Sequence, residues 1–86
     1  MQTNISTNEI PSPFKSGGIY TALADFNNGR YSFSKGQQLR HLKSGYVAYD
    51  REYKYLFEDI LTGKQAELWI RDDAPIDSWH QLLEET

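Results

Sequence analysis

The side chains best placed to titrate near neutral pH are His41 and His80. Neither belongs to an H-x-x-x-H spacing, which would bring two imidazoles together as metal ligands, so no metal site is expected. His41, between Arg40 and Leu42, reads as a half-exposed strand residue, and His80, beside Trp79, as a rim residue. Asp72-Asp73 has the chemistry to hold a cation, but just ahead of Pro75 it reads as a helix cap. Ser16-Gly17-Gly18 lacks the lysine and the spacing of a phosphate loop. No G-x-S-x-G sequence, paired cysteine or acidic ladder is present. The expectation is a chain without catalytic residues, metal or cofactor.

Aromatic residues carry the stronger signal, and it points to binding. Tyr46, Tyr49, Tyr53 and Tyr55 lie close together, interleaved with Asp50, Arg51, Glu52 and Lys54. On a strand Tyr53, Tyr55 and Phe57 share one face, opposite Lys54 and Leu56. Covered by another element, these tyrosines are core. Left open, they form the kind of aromatic surface enriched at protein interfaces. Phe26, Phe33 and Phe57 already claim a small core, so at least two tyrosines are expected to keep an exposed ring. Tyr46, Tyr49, Arg51, Tyr53, Tyr55 and Trp69 are the candidate binding residues, and a protein is the expected partner.

The elements that must position them follow from composition and pattern. With 86 residues, 38% of them hydrophobic, the chain has room for one domain and one modest core. It holds no cysteine, which points away from a disulfide-stapled secreted domain and towards the cytoplasm. Met1–Phe14 shows no signal-peptide pattern, and no apolar run is long enough to span a bilayer. The first half, 1–43, has five Lys/Arg against two acids, and the second, 44–86, four against ten. The formal net charge of −3 makes nucleic acid an unlikely partner.

Residues 1–16 are rich in Asn, Ser, Thr and Pro and are expected to be a flexible tail, with Phe14 as an anchor. A single domain is expected over 17–86. Strands are expected at Ile19–Phe26, Arg30–Ser34, Gln37–Lys43, Tyr46–Asp50, Tyr53–Ile60 and Gln65–Arg71. Turns are expected at Asn27-Asn28-Gly29, Lys35-Gly36, Ser44-Gly45 and Thr62-Gly63-Lys64. Ala66, Leu68 and Ile70 are expected to face the core, with Trp69 pointing the other way. Ile76, Trp79, Leu82 and Leu83 fall on one helical stripe, which predicts a C-terminal amphipathic helix packed on the sheet.

Tyr20-Thr21-Ala22-Leu23-Ala24-Asp25-Phe26, followed by Tyr31-Ser32-Phe33-Ser34-Lys35-Gly36-Gln37-Gln38-Leu39, resembles the opening strands of a Src-homology-3 domain. The resemblance implies a small SH3-like barrel. It does not carry over the family's proline-peptide groove. Ala24 stands where that groove needs an aromatic, its Trp pair has no counterpart after Ser44, and the final strand is read here as helix. Gly18 to Glu84 also resembles a family of small bacterial domains of unknown function. Tyr20, Asp25-Phe26, Gly36, Tyr49-Asp50, Leu56-Phe57, Trp69-Ile70-Arg71 and the terminal amphipathic segment carry that likeness, which implies no activity.

The fold expectation is therefore mainly β: a small SH3-like barrel or curved antiparallel sheet with a C-terminal α-helix. The functional expectation is a non-catalytic protein-binding module. Two alternatives stand beside it. One is an immunity protein or enzyme inhibitor with an acidic binding face. The other is a small-molecule-binding or enzymatic domain with a pocket lined by Tyr and His41.

Overall fold

The computed structural model describes residues 13–75 and 78–86, leaving aside the side chains of Ser78 and Trp79. Residues 1–12 of the expected tail, Ile76 and the Trp79 side chain lie outside that description. The described residues form seven strands: β1 (Ile19–Ala22), β2 (Phe26–Asn28), β3 (Tyr31–Phe33), β4 (Gln38–Val47), β5 (Glu52–Asp59), β6 (Gln65–Arg71) and β7 (Leu83–Glu85). Five build an antiparallel sheet in the order β6-β5-β4-β1-β7, and β2 and β3 form a separate hairpin.

Alternation decides which face of the sheet is dry. Tyr55 and Phe57 of β5 lie opposite Leu68 and Ala66 of β6, and Phe57 also opposes His41 of β4. Tyr20 and Ala22 of β1, with Leu39 of β4, extend this face towards Leu83 of β7. Phe14, Phe33 and Ile70 complete the buried cluster, and Phe26, Tyr31 and Tyr53 pack against it. The expected core positions Ala66, Leu68 and Ile70 therefore hold. Phe14, the expected anchor, is buried with its ring edge-on to Tyr20, Tyr55 and Phe57, at centroid distances of 5.0–5.1 Å. The core thus begins inside the segment assigned to the tail.

The expected C-terminal helix is not formed. A single 3-10 turn, Ser78–Gln81, leads into β7, which pairs antiparallel with β1. A short isolated helix has little stability of its own, whereas the free edge of β1 offers a ladder that satisfies the backbone. Leu83 is buried through that pairing and not through a helical stripe. Nor is there a closed barrel among the described residues: β6 and β7 end the sheet, and they do not pair with each other.

Three local expectations are corrected as well. Ile19–Phe26 is broken at Leu23–Asp25, where the chain leaves the sheet for the β2–β3 hairpin. That hairpin turns at Gly29-Arg30, with Asn27 and Asn28 already inside β2. Ser44-Gly45 is no turn: β4 runs straight through it, with a register shift between His41 and Lys43. The chain reverses instead at Ala48–Arg51, and Arg51 takes the positive φ, 56°, that such a turn needs.

Candidate binding site

The long β4–β5 hairpin carries the tyrosines towards one end of the molecule. Tyr46 and Tyr53 oppose each other across it, with ring centroids 5.0 Å apart. Tyr46 is 41% exposed and Tyr49, in the turn, 97% exposed. Tyr53 is half-buried, and Tyr55, two residues further along, is wholly buried. The candidate set therefore divides: Tyr55 belongs to the core, and Tyr46 and Tyr49 keep open rings. Burial pushes the Tyr55 hydroxyl up to about 12, with the neighbouring Tyr53 adding to the shift.

Asp72 organises this end. Its carboxylate accepts from the Tyr46 hydroxyl at 2.7 Å and from Arg51 Nε at 3.4 Å. The Tyr46 hydroxyl bond holds the Asp72 pKa below its ordinary value, and Arg51 adds to that effect. Asp72 N–H also donates to the Arg51 carbonyl, which fixes the turn against the end of β6. Asp73 pairs with Arg71 at 3.2 Å. These aspartates are thus ion-pair partners and not the helix caps their sequence suggested.

Trp69 points away from the core, as expected, and so stands on the opposite face from Tyr46 and Tyr53. The Lys54 ammonium lies 5.6 Å from its ring centroid, and the indole N–H donates to Glu67 at 3.1 Å. Lys54 also pairs with Glu67 at 3.8 Å. Two clefts flank this group. One, about 490 Å³, is lined by Asn28, Gly29, Arg30, Tyr31, Glu52, Glu67 and Trp69. The other, about 410 Å³, is lined by Lys43, Ser44, Gly45, Lys54, Leu56, Gln65 and Glu67.

Asn28 shapes the first cleft, a role with no signature in its residue type or spacing. Its side-chain amide receives the Trp69 N–H at 2.7 Å and donates to the Trp69 carbonyl at 3.0 Å. It stands in for a neighbouring strand on the open edge of β6 and pins the β2–β3 hairpin there. A contact across 41 residues has no local signature.

His41 is not half-exposed but buried, 2% accessible, against Phe14, Tyr55 and Phe57. Its Nδ1 donates to the Lys15 carbonyl at 3.2 Å, and its Nε2 lies 3.1 Å from Ser44 Oγ. Burial lowers its pKa, and the Lys15 and Lys43 carbonyls oppose part of that effect. His41 lines neither cleft. His80 is exposed. Among the described residues there is no group of three or more His, Cys, Asp or Glu able to hold a metal ion. No helix among them is long and apolar enough to cross a membrane.

No protein-family model matches the chain, and no curated protein does. The fold is similar to that of an integron cassette protein of solved structure, from the mobile metagenome of Vibrio cholerae. It is 16% identical, with a TM-score of 0.69 over 96% of this chain and all of that one. At that identity the likeness establishes common architecture alone.

Proposed function

We propose that the protein is a non-catalytic binding module that engages a protein partner through the end of its β4–β5 hairpin. The observation that carries this reading is the exposure of Tyr49 and Tyr46 beside a fixed Arg51–Asp72 pair. Open aromatic rings next to an arginine are the residue types that dominate interface energies. The bonds of Asp72 to Tyr46 and Arg51 tie those three side chains together, which lowers their ordering cost on association.

The connectivity favours an open SH3-like arrangement. A hairpin follows the first strand, three strands meander, and a 3-10 turn precedes a last strand that returns to the first. That last strand stands where the sequence pattern predicts a helix. A cysteine-free chain with these features suits the cytoplasm. A second reading, an immunity protein or inhibitor facing a basic target, draws on the carboxylates of Glu52 and Glu67 in the first cleft.

The test is affinity capture from the native host with wild-type, Tyr46→Ala and Tyr49→Ala proteins. The proposal expects a partner that wild type recovers and Tyr49→Ala loses at unchanged thermal stability. Equal recovery by all three proteins sinks it.

A further inference from the structure

We propose that the cleft between the β2–β3 turn and the outer face of β5 and β6 binds a cationic side chain, a guanidinium or ammonium group, presented by a protein. The source of that cation rests on the protein-binding reading above; the chemistry of the cleft does not. Its lining sets two carboxylates, Glu52 and Glu67, against one guanidinium, Arg30, with Trp69 and Tyr31 as aromatic walls. An aromatic face beside a carboxylate is the combination that recognises organic cations, the ring through its quadrupole and the acid through charge.

The molecule already uses this combination once. Lys54 places its ammonium over the Trp69 ring and 3.8 Å from Glu67. Lys54 lines the second cleft and not the first, so among the described residues no ammonium lines the first cleft. Glu52 makes none of the ion pairs found among the described residues. Arg71, opposite Glu52 on β6, makes its ion pair with Asp73 and acts on Glu52 only through space. The cleft is also preformed, because the Asn28 amide locks the hairpin turn to the backbone of Trp69. A volume of about 490 Å³ accommodates a side-chain head group with its stem.

Arg30 gives the proposal its sharpest signature. As the like charge in the lining, it opposes a cation, so removing it strengthens binding. In an anion site the same change destroys binding.

The experiment is a titration of the full ¹⁵N-labelled chain with N-acetyl-arginine methylamide, in parallel with its uncharged citrulline analogue. The expected result is saturable shifts at the Gly29 and Arg30 amides and the Trp69 indole N–H with the arginine compound only. Glu52→Gln weakens binding by about two- to fivefold, the range for a partly exposed charge pair, and Arg30→Gln tightens it. The amide spectrum of each variant reports its fold in the same measurement. Absence of saturable shifts, equal binding of citrulline, or weaker binding by folded Arg30→Gln overturns the proposal. Because no partner protein is used, failure here leaves the hairpin reading standing, and failure of the hairpin variants leaves this one standing.

Discussion

Phe14 precedes the first strand, yet the packing makes it a central piece of the core. Its ring is 4% exposed and meets Tyr20, Tyr55 and Phe57 edge-on, with His41 at 5.5 Å. Burial of a side chain this size contributes about 2–3 kcal/mol. Edge-to-face pairs add about 0.5–1.5 kcal/mol each where geometry is favourable. Truncation also leaves a cavity between rings held by three different strands, which cannot all close over it. Phe14→Ala is therefore expected to cost about 3–5 kcal/mol. In a domain of this size each kcal/mol lowers Tm by about 4–8 °C, so the loss exceeds roughly 12 °C. Urea unfolding followed by far-ultraviolet circular dichroism, with a thermal melt in parallel, measures it. A loss below about 1 kcal/mol refutes the reasoning, since the segment could then leave the sheet with little consequence.

Three further outcomes follow from individual side chains. Asn28→Ala removes both bonds to the Trp69 backbone and is expected to cost about 1–3 kcal/mol in urea unfolding, with faster amide exchange at Trp69. His41, whose folded pKa lies below 6.5, stabilises the fold fully above about pH 6.5, and that contribution falls as pH drops towards the folded value. The urea midpoint is thus lower at pH 5.5 than at pH 7.5, and His41→Gln flattens the difference. The Tyr55 hydroxyl ionises only near pH 12, so its absorbance change at 295 nm is expected near that pH or with unfolding itself, and Tyr55→Phe removes it.

Much of the sheet was legible because its signal is local. Period-two alternation placed Tyr53, Tyr55 and Phe57 together and turned Ala66, Leu68 and Ile70 inward. The Thr62-Gly63-Lys64 turn follows from Gly63, which takes a positive φ. What stayed illegible depends on distant partners. Ile76, Trp79, Leu82 and Leu83 have helical spacing, but the open edge of β1 converts the end of that segment to a strand. Ser44-Gly45 has turn composition, yet pairing with Tyr55 and Lys54 holds it extended. The real turn puts Arg51 in a left-handed conformation, where no residue type announced it.

The candidate site shows the same division. Residue type marked Tyr46, Tyr49 and Arg51, and the structure gathers them at one end of the hairpin. Residue type could not separate them from Tyr55, because only the two strands flanking β5 make that position an interior one. Nor could it find Asp72 as their organiser, 26 residues from Tyr46.

The binding claim is tested most directly by photo-crosslinking from defined positions. A benzophenone side chain is placed at Tyr49 in one protein and at Leu61 in another. Leu61 is also exposed, at 90%, but sits in the turn at the opposite end of β5. Irradiation in host extract is expected to give a discrete adduct from position 49 that position 61 does not give. Identical adducts from both positions, or none from position 49, contradict the account.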